Sequence, residues 1–253
     1  MFASFVLSVA VGLAAWQLFL EVFSVDDFIG KGPADVWEHL TAAESAESRT
    51  ELWDASRTTL RDAFVGLGVG STIAVIVAIA FALWRGVEQT LMPVAMVLRS
   101  VPLVAMTPLI VVIFGRDILA VTVITGIVTF FATLVNVSLA LRSTPQETLD
   151  VCRAYGASPF QTLRKVQLPI ALPALFASLR IAAPLALVGA LLAEGLATGD
   201  GLGWLMSEAR NSFQIEQLWS AVFLVTAYSV ALYTVIGAAE RLVLARFGQT
   251  PTT

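Results

Sequence analysis

Residues Thr144 to Pro169 read TPQETLDVCRAYGASPFQTLRKVQLP, a polar stretch set between two strongly apolar segments. Its punctuation is explicit. Thr144, Pro145 and Glu147 have the spacing of a capping box, with a hydroxyl at the N-cap, proline at the first helical position and a carboxylate at the third. Gly156 supplies a residue that tolerates the left-handed conformation in which helices commonly end. Ser158, Pro159 and Gln161 repeat the start signal. The stretch therefore predicts two short helices meeting at a Gly-Ala-Ser corner. In the first, Leu149, Cys152 and Tyr155 recur at three-residue spacing with Val151 beside them, an apolar stripe next to Asp150 and Arg153. Such an element is suited to docking in a groove on a partner.

Outward from this loop the chain is apolar almost throughout. Of 253 residues, 57% are hydrophobic and 13% charged, against roughly 25% charged in a soluble domain. A helix needs about 20 apolar residues to cross the ~30 Å hydrocarbon core, because its backbone must satisfy its own hydrogen bonds there. The uncharged runs Met1 to Leu20, Ala63 to Trp84, Ile118 to Leu141 and Gln217 to Ala239 reach that length. Gln89 to Gly115 and Val166 to Ala193 do so with one internal charge each, Arg99 and Arg180. The expected fold is an all-α integral membrane protein of about six spans, near 1–23, 62–84, 89–115, 118–141, 170–196 and 217–240, in a single transmembrane domain. Residues 24–61 form an extracytoplasmic segment and 142–168 a cytoplasmic loop.

The first run has no basic leader and no small-residue cleavage site, and reads as a retained helix. One side of the six spans carries Arg85, Arg142, Arg153, Arg164, Lys165, Arg241 and Arg246; the other carries Lys31, Arg49, Arg57, Arg61, Arg116 and Arg210. This balance leans toward both termini being cytoplasmic. The single Cys152 and single His39 leave no internal disulfide and no His/Cys cluster for a metal. A pI near 5.0 argues against a nucleic-acid partner.

Here a resemblance becomes specific. Permease subunits of binding-protein-dependent ATP-binding-cassette importers carry a cytoplasmic signature of Glu-Ala-Ala, three residues, Gly, nine residues, Ile, one residue, Leu-Pro. This chain has Asp150-Val151-Cys152, Gly156, Val166 and Leu168-Pro169 at that spacing. GKGPADVW at Gly30 to Trp37, LRSVPLVAMTPL at Leu98 to Leu109, LPIALPALFASLRIA at Leu168 to Ala182 and AEGLATGDGLGWLM at Ala193 to Met206 resemble the nitrate, sulfonate and taurine branch. The resemblance implies a type I importer architecture in which Asp150, Val151, Cys152, Tyr155, Gly156, Ala157, Val166, Leu168 and Pro169 form coupling helices seated on a cytoplasmic ATPase. It also implies an extracytoplasmic solute-binding protein and a second permease, either an identical copy or a related chain. The site is a multi-pass position in the cell membrane. The substrate class it implies is an oxyanion such as nitrate, bicarbonate or a sulfonate, or a vitamin precursor. The chain has no G-x-x-x-x-G-K-[ST] phosphate loop, so ATP and magnesium belong to the partner ATPase and no cofactor is expected in this chain.

Candidates for the translocation path follow from polar groups inside spans. Thr122, Thr125, Thr129, Thr133 and Asn136 fall at spacings of three, four, four and three, one stripe along the fourth span. Helix-to-helix packing is the competing reading of that stripe. Arg99, Arg180 and Glu194 each place a charge in an apolar span, at a cost of about 2.5–3.5 kcal/mol at the bilayer centre. The arginines could attract an anion, and Glu194 could pair with one of them or gate the outer mouth. Alternatively, the arginines sit nearer the interface and snorkel. A secondary transporter would show an inverted repeat or matched broken helices in two halves, and an intramembrane enzyme a clustered nucleophile and base; neither pattern is visible in the sequence.

Overall fold

The computed structural model describes residues 2–246, which are helical without any strand. The proposed first residue of the first span, Met1, and the tail beyond Arg246 lie outside the described residues. Helix α1 spans Phe2–Val22, α2 Pro33–Thr41 and α3 Ala46–Leu83. Next come α4 (Arg85–Arg99) and α5 (Leu103–Phe114), bent from each other by 101° at Ser100 to Pro102. Helix α6 spans Ile118–Arg142, α7 Gln146–Ala154, α8 Pro159–Thr162, α9 Leu168–Ala193, α10 Gly201–Asn211 and α11 Ile215–Arg246.

Four helical stretches are long and apolar enough to cross a membrane, α3, α6, Pro159–Thr198 and α11; the bent pair α4–α5 adds a fifth if it is one broken span rather than a re-entrant loop. Helix α1, apolar over Leu7–Val22, is shorter than these, so the described residues supply four or five of the six expected spans by length and composition. Large apolar side chains point outward on these helices, among them Val112, Ile113, Val235 and Leu242. That is the surface a lipid solvent allows and water does not.

The bundle is organised around α6, which packs on α3 along one side and on α9 along the other, with α11 against α9. Small residues make this possible. Gly66 and Gly70 of α3 lie directly against Thr125, Gly126 and Thr129 of α6, and Gly189 of α9 faces Thr125, where a Cβ would stand 2.9 Å from the Thr125 Cα. The close approach lets the Thr129 hydroxyl donate to the Gly66 carbonyl at 3.2 Å and brings Ser71 and Thr133 hydroxyls within 3.2 Å. Hydroxylated side chains crossing a small-residue seam replace the hydrophobic drive that lipid does not provide between helices.

At one end of the bundle the helices carry a cap. Helix α3 has 38 residues, about 57 Å at 1.5 Å per residue, well beyond a hydrocarbon core. It begins at Ala46, earlier than the Asp62 at which hydropathy starts the span, because no glycine or proline interrupts Ala46 to Asp62 and a partner surface exists for it. Leu52 and Ala55 bury against Leu202 and Leu205 of α10 and Ala221 and Leu224 of α11. Polar links complete the cap: Lys31 to Glu216 at 2.8 Å, Gln217 to Glu51 at 2.8 Å, and the Trp219 indole N–H to the Ile29 carbonyl at 2.9 Å. Trp16 of α1 stacks on Trp219 with ring centroids 5.4 Å apart.

Two expectations for the loop change. Thr144 does not cap α7; its hydroxyl donates backward to the Leu141 carbonyl at 3.3 Å, and α7 starts after Pro145 with no side-chain cap. The second short helix is not separate either. Pro159–Thr198 runs as one 40-residue helix, passing through π turns at Leu163–Gln167 and Glu194–Thr198. Pro169 lies just past the first π turn, in the opening turn of α9, and Pro173 lies within α9, so neither interrupts the run.

Gly70→Val should destabilise the protein by about 1–3 kcal/mol through overpacking against Thr129 and the Gly126 backbone. Gly68, whose added Cβ would meet nothing within 4 Å, should accept alanine without loss. Thermal unfolding in detergent compares the two.

Candidate coupling loop and transport path

Helix α7 ends as its glycine foretells. Gly156 has φ +70°, and the N–H groups of Ala157 and Gly156 donate to the carbonyls of Cys152 and Arg153, both at 2.9 Å. This is the paired bonding that closes a helix through a left-handed residue. The second start signal also forms as a reciprocal cap: Gln161 N–H donates to the Ser158 hydroxyl at 3.2 Å, and Ser158 N–H donates to the Gln161 side-chain oxygen at 2.8 Å.

No side chain of α7 or α8 is buried. Leu149 and Cys152 of the predicted stripe turn half inward, while Val151 is 56% and Tyr155 87% exposed. Phe160, 59% exposed at the start of α8, is a further outward apolar side chain of the loop. It escaped the sequence reading because it stands outside the α7 stripe, although a large aromatic directly after a capped proline was the available signal. Asp150 and Arg153 pair at 2.8 Å on the exposed flank. Val166, Leu168 and Pro169 are half-buried where the chain re-enters the bundle, so they brace the loop.

The base of the loop is tethered. Buried Glu88 at the start of α4 pairs with Arg142 at the end of α6, and the Gln167 side-chain amide donates to the Leu141 carbonyl at 3.2 Å. A cavity of about 370 Å³ beside this tether is lined by Arg85, Glu88, Arg142, Gln146 and Gln167 among others.

The candidate path residues divide into four groups. Thr125, Thr129 and Thr133 are fully buried in the α3–α6 seam, while Thr122 and Asn136, partly buried, donate to carbonyls one turn back at 2.7 and 2.8 Å. Within the single chain the stripe serves helix packing. Arg180 pairs with Glu240 of α11 at 3.0 Å and its guanidinium stands 4.9 Å from the Tyr233 ring centroid, above Gly237. Glu240, 1% exposed, was missed in the sequence because it follows the uncharged run of the last span; a lone arginine in an apolar helix was itself a reason to seek it.

Glu194 pairs with neither arginine. It is fully buried at the cap end, where its Oε2 accepts from the Thr59 hydroxyl at 2.8 Å and from the Gly203 N–H at 2.9 Å. Thr59 in turn accepts from the Leu202 N–H at 2.8 Å, and Asp200 from the Gly201 N–H at 2.7 Å. Three elements thus satisfy the first N–H groups of α10, the end that favours negative charge. A Cβ at Gly201, which has φ +87°, would collide with the Glu194 carboxyl.

Arg99 differs from the rest. It ends α4 at the elbow with α5, is exposed, and among the described residues has no carboxylate or hydrogen-bond partner. It borders a cavity of about 370 Å³ whose other walls include Leu103, Met106, Ile127, Phe131 and Leu185.

This arrangement of an apolar bundle and a protruding double-helical loop has a match. Residues 70–249 fit the family model described as the binding-protein-dependent transport system inner membrane component. The chain belongs to this family.

It is a multi-pass membrane permease of the ATP-binding-cassette importers. A protein of Haemophilus influenzae named probable ABC transporter permease protein is 32% identical over 228 residues, 90% of this chain and 91% of that one. The riboflavin transport system permease protein RibX of Chloroflexus aurantiacus is 32% identical over 236 residues, 92% of this chain and 85% of that one. A chain of the MetNI methionine ABC transporter in an inward-facing conformation superposes with a TM-score of 0.62 at 20% identity, over 77% of this chain and 94% of that one, and shares the fold.

In this permease Glu240→Gln removes the carboxylate that pairs with Arg180 and should cost about 3–5 kcal/mol, whereas Arg180→Met with Glu240→Leu should recover most of it. Thermal unfolding of the three variants measures both effects.

Proposed function

We propose that the permease forms the pathway for a small polar solute in a transporter powered by a separate ATPase, whose cleft receives α7 and the start of α8. The observation that carries this reading is the exposure of three large apolar side chains, Val151, Tyr155 and Phe160, on a loop locked at its base by Glu88–Arg142. An apolar patch outside the spans is exposed at a cost unless a partner covers it. Continuity adds to the case. The helix that starts under the loop at Pro159 reaches Thr198, beside the Glu194 contacts that hold α10. A force applied to the loop therefore has one rod to travel along, with π turns near each end as places to flex.

On this reading the loop faces the cytoplasm, both termini lie on that side, and the cap built on α2, the first turns of α3 and α10 faces a solute-binding protein outside a plasma membrane. Two identical permeases and two ATPase subunits complete the machine; a related second permease is the alternative composition. The chain itself performs no catalysis, and ATP with magnesium is held by the ATPase. The substrate is an oxyanion such as nitrate, bicarbonate, taurine or another sulfonate, or a vitamin precursor, the last supported by the riboflavin relative.

Gly156→Val strains a left-handed residue without meeting any neighbour within 4 Å, and Tyr155→Asp places a charge on the outward patch. Both should reduce ATP-driven uptake in proteoliposomes at least about tenfold, as loss of a few kcal/mol of docking requires, while the protein still inserts. Normal uptake by both variants would remove the docking role.

A further inference from the structure

Arg99 stands at mid-depth in the bundle. The cavity it borders is walled by Ile127 and Phe131, near the middle of α6, and by Leu185 of α9. Helix α5, 12 residues or about 18 Å long, separates the elbow from Gly115 at the start of the turn into α6. Non-helical backbone and an exposed guanidinium at such depth are tolerated only where they face protein or a water-filled cavity. Arg180 meets that demand through Glu240. Arg99 has no such partner among the described residues.

The walls say what would answer it. Ser100 spends its hydroxyl on the Val97 carbonyl at 2.6 Å, and the N–H groups of Ser100 and Val101 donate to Val97 and Leu98 carbonyls at 3.1 and 3.2 Å. The guanidinium is thus the donor left over, beside side chains that form no hydrogen bonds. A bare inorganic oxyanion would give up hydration on all sides and recover one bidentate contact. An anion with an apolar body recovers that contact and also removes its body from water against Leu103, Met106 and Phe131. About 370 Å³ falls within the range of small-molecule sites, roughly 300–1,000 Å³.

Resting on the permease reading above, we propose that the α4–α5 elbow is a substrate subsite that selects organic anions, sulfonates or carboxylates joined to an aliphatic or aromatic body, over bare oxyanions. Arg99 receives the head group and the α5–α6 wall receives the body.

The test uses the permease–ATPase complex in nanodiscs of phosphatidylcholine, with radiolabelled hexanesulfonate as the probe. Saturable binding is expected, weakened at least about tenfold by Arg99→Gln, the loss of one charge-assisted contact, and partly restored by Arg99→Lys. Ala132→Trp, which fills the cavity but keeps Arg99, should also weaken it. Nitrate and hexanol in tenfold excess should not displace the probe. Absence of saturable binding, indifference to both Arg99→Gln and Ala132→Trp, or displacement by nitrate or by hexanol as effective as by unlabelled hexanesulfonate each overturns the proposal. Indifference to the variants would point to a second copy of the chain covering the elbow. The same preparation separates this failure from that of the underlying reading: if the ATPase co-purifies and Gly156→Val uncouples uptake, only the substrate class falls, whereas a permease that brings down no ATPase loses the reading itself.

Discussion

Hydrocarbon offers no hydrogen bonds, so each polar group carried into it must find its partner within the protein. This constraint orders the permease more than any single apolar contact does. It places the Thr129 hydroxyl on the Gly66 carbonyl, and that bond exists because Gly66 and Gly70 let α3 and α6 approach to backbone distance. The same seam admits α9 through Gly189. A side chain at Gly66 or Gly70 would separate the helices and leave the Thr129 hydroxyl to bond only its own turn. Polar satisfaction and close packing are here one requirement.

The same rule decides what was legible in the sequence. Long uncharged runs announce helices because no other backbone is stable in lipid, and Gly156 and Ser158 announce their caps because each signal acts within one turn. Thr144 carried an equally good local signal and failed, since its hydroxyl found the Leu141 carbonyl behind it. Hydropathy placed the start of α3 at Asp62 for a related reason. The stretch from Ala46 is polar on average, and Glu51, Leu52, Ala55 and Thr59 meet α10 and α11, contacts more than a hundred residues away in sequence. Glu194 could be recognised as needing a partner but not matched to one, because its donors are a hydroxyl on another helix and a backbone N–H.

The cap end and the loop end use different means of fixation. At the cap, Glu194, Thr59 and Asp200 consume the N–H groups that open α10, and Gly201 is tolerated at φ +87° where its hydrogen leaves room for the Glu194 carboxyl. At the loop, an ion pair under the bundle edge, Glu88 with Arg142, sets the direction in which α7 leaves, while no side chain of α7 or α8 beyond it is buried. Fixation is internal at the first and only basal at the second. A surface that is rigidly aimed yet uncovered is what an element needs when its other half resides in another chain.

Arg180 and Arg99 show how one residue type divides under this rule. Both interrupt apolar helices, and the sequence offers both as path candidates. Arg180 is enclosed by Glu240, Tyr233 and Gly237, so its charge is answered inside the chain and its contribution is to hold α9 on α11. Arg99 sits where α4 and α5 break by 101°, at a helix end whose carbonyls favour a cation but do not neutralise it. Proline at 102 prevents the helix from continuing and so keeps the guanidinium at the corner. The break and the unanswered charge are therefore consequences of the same three residues, Arg99, Ser100 and Pro102 with Val101 between them, and the adjoining apolar wall determines what kind of anion could complete them.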